Sequence, residues 1–366
     1  MAIYSDTDFR KNRKLRFSPR LKRVGPSSQD LHIGRLYKQK HLEHDITTSD
    51  GWLNYLKEIE SIDSDVPWTK FRTGLEKEPT MKRDNEDVWV LRPGRMYLAE
   101  SIEKITLPKG LGVDVDTRSS WARYGVRVEH VDDELKGFSG YKGHIPLMIV
   151  SCDTPVVLRP RDRICQAIVY DERGKGILGN NGIFEAITNK EIECYKLAMF
   201  NPKIKLPSIN IDRHSIHLTL NPNIKRFNDK IIDPKEDLSG KYLDINITGG
   251  YEIPYKKFFL GSSNEILRIG KKHVALLREI FTSPERVRTH SNAGYVDPGF
   301  EGTITLEQFV VPDGPNTIYP DMKMGEVEIC RLKSPCTKPY KSKYSGQFGA
   351  TASKGHLDFK KKKRKK

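Results

Sequence analysis

A pattern in the first half of this chain returns in the second half, in the same order. Leu91-Arg-Pro-Gly94 reappears as Leu267-Arg-Ile-Gly270, and in each copy a proline follows 14 residues after the glycine, at Pro108 and at Pro284. Gly143-His-Ile-Pro-Leu-Met148 reappears as Gly302-Thr-Ile-Thr-Leu-Glu307, and Leu158-Arg-Pro160 as Ile318-Tyr-Pro320. Repeated order at nearly constant spacing marks a duplicated fold. The length of 366 residues leaves room for two domains of ordinary size. In both copies short alternating runs are broken by Gly, Pro, Asn and Asp, and convincing helical stretches are few. This predicts an all-β architecture of two tandem barrels or sandwiches.

The repeat sets the expected boundaries. Residues 1–23 read as a basic arm, and the first repeat, 24–170, opens at Val24-Gly-Pro-Ser-Ser-Gln-Asp-Leu-His-Ile-Gly34. Within it, about 47–87 reads as an insertion, acidic and basic by turns, carrying Trp52 and Trp68. A connection is expected over 171–228, the second repeat over 229–340, and a closing arm with a basic tail over 341–366.

The two copies differ in what they keep. From Pro108 to His130 is 22 residues, but from Pro284 to His290 is only 6. The positions missing from the second copy read Asp116-Thr-Arg-Ser-Ser-Trp-Ala-Arg-Tyr-Gly125 in the first. Conversely, the first copy sets Met148 opposite Glu307 and Phe138 opposite Asp297. One copy holds a basic, hydroxyl-rich segment and the other holds acids, so each alone is half a site.

Each half has a chemical and a bland reading. His290 to Glu307 has the grammar of a β-hairpin: Asp297, Pro298 and Gly299 form a turn, and Thr303 to Glu307 alternate as a half-buried strand does. Ala293 and Gly294 would let a flat ligand approach the backbone. Asp297 could hold a sugar hydroxyl or cap its own turn. A buried Glu307, its pKa raised by desolvation, could serve as a general base on water; the alternative is a strand-edge carboxylate paired with a lysine. Arg118, Ser119, Ser120 and Arg123 could cradle a triphosphate, because guanidinium groups bind phosphate oxygens bidentately and hydroxyls add short hydrogen bonds. The same residues could be a capped helical turn with solvated arginines. Lys343 to Lys354, rich in Gly and small hydroxyl residues, reads as a flexible segment able to fold over a ligand, or as an exposed tail.

Composition narrows the partners. Of a net charge of +15, seven positive charges lie in the run Lys360 to Lys366, leaving +8 on the rest, a balance that favours polyanionic ligands such as nucleotides. A block of like charge is ordinarily solvated, so nucleic acid is not expected as a partner. No apolar run approaches the ~18 residues of a membrane span, and no membrane partner is expected. The N-terminus has no apolar h-region, and the five cysteines (Cys152, Cys165, Cys194, Cys330, Cys336) are odd in number and widely spaced, which together predict a cytoplasmic location. A zinc deaminase would need His-x-Glu with a downstream Pro-Cys-x-x-Cys. His41-Leu-Glu43 meets the first half, but Pro335-Cys336 runs on into Thr337, Lys338 and Pro339, so no zinc site is expected. A Walker loop is also lacking in the sequence.

Taken together, these segments resemble the dCTP deaminase branch of the dUTPase-like superfamily. Arg118-Ser-Ser-Trp-Ala-Arg123 is similar to its phosphate-binding segment, Ala293-Gly-Tyr-Val-Asp-Pro-Gly-Phe-x-Gly-x-Ile-Thr-Leu-Glu307 to its nucleoside hairpin and catalytic strand, and Lys343-Tyr-x-x-Gln347…Ser353 to its closing arm. Pro26-Ser-Ser-Gln-Asp-Leu-x-Ile-Gly34 and Arg163-Ile-x-Gln166 resemble framework motifs. The length and duplication look like the fused, two-repeat form. The resemblance implies distorted β-barrels, a homo-oligomer with sites shared between repeats or chains, and zinc-independent conversion of dCTP and water to dUTP and ammonia. Glu307 would be the general base, with the Ala293 carbonyl orienting water or leaving amine and Arg123 beside them. Asp297 would meet the deoxyribose 3′-hydroxyl, Arg118, Ser119, Ser120 and Arg123 would hold the triphosphate with its Mg²⁺, and Lys343, Tyr344 and Gln347 would belong to the lid. Either dUTP or dTTP would act as product or regulator. A bifunctional enzyme that also releases pyrophosphate to give dUMP, a pure dUTPase, and a non-catalytic nucleotide or nucleic-acid binder stay open.

Overall fold

The computed structural model describes residues 2–19, 25–37, 77–130, 139–151, 153–198, 201–207, 210–212, 214–254, 257–278, 287–289, 293–310 and 317–360. His41, Glu43, Trp52, Trp68, Phe138, Cys152, His290 and the tail beyond Lys360 lie outside them.

The fold is mostly β, in two barrel-like units. In the first, β1 (Gln29–Tyr37), β2 (Met96–Thr106), β3 (Leu111–Thr117), β4 (Val126–His130), β5 (Lys142–Ser151) and β6 (Arg163–Asp171) belong to a seven-stranded sheet with the path β3-β6-β1-β2-β5-β4. The two ends of that path meet at one side chain: Val128 N–H donates to Thr117 Oγ1 at 2.8 Å, and that hydroxyl donates to Val128 O at 3.3 Å. Between β3 and β4 the chain makes one helical turn, α1 (Ser119–Ala122), with Arg118 as its N-cap. Alternating burial in β1 points Leu31 and Ile33 into a core shared with Val113, Ile145 and Ala167.

The second unit is built on β7 (Ile192–Ala198), β8 (Ser215–Thr219), β9 (Asn223–Phe227), β10 (Phe258–Ile269), β11 (His273–Arg278), β12 (Tyr295–Val296), β13 (Glu301–Val310) and β14 (Lys323–Arg331). β10 pairs with β7, β9 and β13 in one sheet, and β14 pairs with β8 and β11 in another. The segment read as a connection, 171–228, thus carries strands that pair into this unit.

The duplication is visible at a single bulge. The β2–β5 register shifts between Glu100 and Lys104, and the β10–β13 register shifts between Ser262 and Ile266. In the first bulge Ser101 Oγ donates to Glu103 O at 2.7 Å and accepts from Ile145 N at 2.9 Å. In the second, Ser263 Oγ donates to Glu265 O at 2.6 Å and accepts from Ile304 N at 2.9 Å. The serine supplies the partners that the interrupted ladder would leave missing in the buried backbone.

The units are not separate beads. Ile3, Ile168, Val274, Leu276, Tyr295 and Cys330 form one apolar cluster between them. The N-terminal helix Asp6–Lys11 also belongs to this seam: Asp6 accepts from Thr337 N at 2.8 Å and Asp8 from Ser334 Oγ at 2.7 Å. Among the described residues, no helix is long and apolar enough to cross a membrane.

Candidate active site

The hairpin forms where its turn residues place it. Gly299 has φ +91°, the left-handed region that glycine adopts without penalty, and Phe300 N–H closes the turn on Asp297 O at 3.1 Å. The following strand, β13, begins at Glu301, earlier than the alternation from Thr303 suggests. Glu307 sits on it opposite Leu260 of β10 and is 2% exposed.

The hairpin is tied to the first unit through a chain of polar side chains. Ser28 Oγ donates to Gln166 Oε1 at 2.8 Å, Gln166 Nε2 donates to Asp116 Oδ2 at 3.0 Å, and Gly294 N–H donates to Asp116 Oδ1 at 2.9 Å. The framework motifs around Ser28 and Gln166 therefore fix the height of the hairpin over the first unit's strand β3. Asp116, a residue for which the sequence alone suggests no role, is the link.

The arm closes the arrangement, and it is docked rather than exposed. Gln347 Nε2 donates to Thr303 O at 2.7 Å, and Thr303 N–H donates to Gln347 O at 3.0 Å. Gly302 makes that approach possible: its φ is +149°, and a Cβ there would stand 2.7 Å from Gln347 O. Tyr344 Oη donates to Ser120 Oγ at 3.2 Å, and Ser353 Oγ donates to Ser120 O at 2.8 Å, so the arm reaches α1 as well.

Together these elements enclose one cavity, about 470 Å³ with its open mouth. Ser119 and Arg123 come from the first unit, Ala293, Asp297, Thr305, Glu307 and Tyr340 from the second, and Tyr344 and Gln347 from the arm. The two halves expected from the sequence thus meet within one chain. Arg123, 4% exposed, donates from Nη2 to Gln347 Oε1 at 3.1 Å and lies 3.7 Å over the Tyr344 ring. Among the described residues, its Nε and Nη1, with Glu307 Oε2 and Asp297 Oδ1, are buried without a hydrogen-bond partner. Buried polar atoms are almost always paired in folded proteins, so four unpaired ones lining a single cavity describe a place for polar ligand atoms.

Burial sets the acidity of these groups. Desolvation pushes the Glu307 carboxyl up to about 8, against the opposing charge of Arg123. Desolvation also raises Asp297 to about 7, with Asp30 and Asp116 adding like charge. Asp116 itself is raised to about 7, again by desolvation first. Strongly shifted carboxyls clustered in a cleft are a mark of proton-transfer sites.

Arg118 lies outside this cavity's wall. Its Nε meets Asp30 Oδ1 at 3.0 Å, and its Nη1 meets Asp358 Oδ2 at 3.0 Å and Arg163 O at 3.2 Å. Ser120 is buried under the arm, while Lys343 Nζ meets Asp358 Oδ2 at 3.0 Å. Asp30, Asp358 and Arg163 had no site role in the sequence reading. Asp358 is 240 positions from Arg118, and no local pattern signals a contact of that range.

Comparison with known proteins places this geometry. A family model described as dCTP deaminase-like matches residues 4–172 and 183–332. The chain is similar to a protein of Coprothermobacter proteolyticus named "dCTP deaminase, dUMP-forming", 35% identical over 179 residues, which covers 94% of that protein and 46% of this chain. It is also similar to a protein of the same name from Beutenbergia cavernae, 36% identical over 138 residues, 71% of that protein and 35% of this chain. The solved structure of 2′-deoxycytidine 5′-triphosphate deaminase from Agrobacterium tumefaciens shares the fold at TM-score 0.66 and 17% identity, covering 92% of this chain and 96% of that one. The match over both repeats, with a composite pocket between them, establishes that the chain belongs to the dCTP deaminase-like family.

Proposed function

We propose that this chain hydrolyses the cytosine amino group of dCTP. What supports the reading is the cavity in which Glu307 Oε2, Asp297 Oδ1 and two Arg123 nitrogens stand buried and, among the described residues, unpaired, with a basic, hydroxyl-bearing turn on the adjoining wall. In the proposed reaction Glu307 takes a proton from water as its oxygen bonds to C4 of cytosine. That proton goes to N3 as the C4=N3 bond opens; the new hydroxyl then gives its remaining proton, through Glu307, to the departing nitrogen as the C4–N4 bond breaks, leaving C4=O, ammonia and the uracil nucleotide. Arg123 favours the ionised form of Glu307, and the carbonyl of Ala293 orients the water or the leaving amine. Asp297 holds the 3′-hydroxyl. Arg118, Ser119 and Ser120 hold the triphosphate, with Lys343, Tyr344 and Gln347 closing over it. Mg²⁺ would arrive on the substrate: the donors here are guanidinium, ammonium and hydroxyl groups suited to phosphate oxygens, so the ion would be held through the phosphates and offset their charge.

We further propose the division into repeats over 24–170 and 229–340, flanked by the arms 1–23 and 341–366, with the connecting stretch 171–228 lending strands to the second. A cytoplasmic homo-oligomer accompanies this reading, and light scattering on the purified chain tests the assembly. A second reading, in which pyrophosphate also leaves to give dUMP, is favoured by the names of the relatives from Coprothermobacter proteolyticus and Beutenbergia cavernae. Incubating purified protein with dCTP and Mg²⁺ and resolving the products chromatographically decides between them. Ammonia with dUTP supports deamination alone, dUMP with pyrophosphate supports the bifunctional reading, and unchanged dCTP contradicts both.

A further inference from the structure

After the docked part of the arm the chain makes one more turn, the 3-10 helix Gly355–Asp358. Its last residue places a carboxylate among three cations drawn from three separate segments. Arg118 Nη1 is 3.0 Å from Asp358 Oδ2, Lys343 Nζ is 3.0 Å from the same oxygen, and Arg163 Nη2 is 3.2 Å from Asp358 Oδ1. Asp30 bridges the same two arginines from another side, at 3.0 Å to Arg118 and 3.1 Å to Arg163. Burial alone would raise the Asp358 carboxyl, yet Arg118, Lys343 and Arg163 hold it below the ordinary value.

The turn is held firmly enough to keep Asp358 there. Gly355 lies against Tyr124, where an added Cβ would stand 2.4 Å from the phenolic oxygen, and His356 Nε2 is 3.6 Å from Asp237. A carboxylate that gathers two guanidinium forks and an ammonium group is making the contacts that phosphate oxygens make. Remove it, and among the described residues these three cations keep one carboxylate, Asp30, which meets the two arginines.

We propose that Asp358 occupies the seat of the substrate's outer phosphates, that Arg163 joins Arg118 and Lys343 in holding them, and that the C-terminal turn is a built-in competitor displaced when triphosphate binds. The proposal rests on the reading of the Arg118 segment as the triphosphate grip. A triphosphate carries several negative charges against one on Asp358, so it wins the seat. Its measured affinity is nevertheless lowered by the fraction of molecules whose turn is still in place.

The test is calorimetric titration of the full chain with inorganic tripolyphosphate, wild type beside Asp358→Asn, followed by dCTP kinetics on both. Asn keeps the shape of the turn and removes the charge. Tripolyphosphate affinity is expected to rise about tenfold or more, and KM for dCTP to fall by a similar factor with kcat unchanged. Adding Arg163→Ala in the Asp358→Asn background should return most of that gain and flatten the salt dependence of tripolyphosphate binding, which a purely structural arginine would not do. Unchanged or weaker tripolyphosphate binding by Asp358→Asn overturns the proposal. Deamination of dCTP with tripolyphosphate affinity and KM unmoved sinks the competitor and leaves the function standing. A gain in tripolyphosphate affinity without turnover of dCTP does the reverse.

Discussion

Glu307 and Met148 hold the same place in the two repeats. Met148 lies opposite Leu98 on the strand that follows the first bulge, and Glu307 lies opposite Leu260 on the strand that follows the second. The apolar side chain is at home among its neighbours at 7% exposure, while the carboxylate at 2% is raised to about 8 and leaves one oxygen unpaired. A carboxylate kept there at such a cost in solvation is what a proton-transfer site would require.

Replacing Glu307 by Gln keeps the shape and removes the proposed base. Turnover of dCTP is expected to fall roughly 10²–10⁴-fold, the usual contribution of a positioned general base, with Kd changing little. Single-turnover kinetics with calorimetric binding measures both quantities. Turnover within threefold of wild type would remove Glu307 from the chemistry.

The pH profile follows from the same burial. With its carboxyl near 8, Glu307 is mostly protonated in the free protein at neutral pH, so kcat/KM should climb about tenfold per unit below that value and level off above it. A kcat/KM that stays flat between about pH 6 and 8 argues against Glu307 as the base.

Stability should move in the opposite direction. Glu307, Asp297 and Asp116 have folded values near 8, 7 and 7, above their ordinary 4.5, 3.8 and 3.8, so the folded state favours their protonated forms. Their contribution is fully present below the unfolded values and is lost as pH rises through 7 to 8. Glu307→Gln is therefore expected to melt about 2–4 °C above wild type near pH 9, with the gap closing near pH 4. Calorimetric scans at both pH values check this, and a gap independent of pH contradicts it.

The turn at Asp297-Pro298-Gly299 and the duplicated order of motifs were legible in the sequence because proline, glycine and repeat spacing are local signals. The two bulges were not. At Ser101 and Ser263 a register shift breaks the alternation on which strand reading depends, and the serine that repairs the ladder looks like any polar residue. Arg118, Ser119, Ser120 and Arg123 could be picked out as a group, but not divided. Ser119 and Arg123 line the cavity, while Arg118 turns to Asp30 and Asp358, and only the folded path of the arm brings Asp358 there.

Gly302→Ala separates docking of the arm from the chemistry. The new Cβ would press on Gln347 O from a backbone angle of +149°, costing about 1–3 kcal/mol of strain. The arm should loosen, with faster proteolysis between Lys343 and Lys354 and a KM raised about tenfold while Glu307 stays in place. Unchanged proteolysis and KM would show that the arm does not need this glycine.

The composite site is tested most directly by mixing two defective chains. Arg123→Ala removes the first unit's contribution and Glu307→Gln the second's, and both belong to the same cavity of one chain. Co-expressing the two variants and measuring dCTP turnover of the purified mixture is expected to give no more activity than the better of the two alone. Recovery toward a quarter of wild-type turnover, the share expected if chains pair at random and lend each other halves, would contradict a site completed within a single chain.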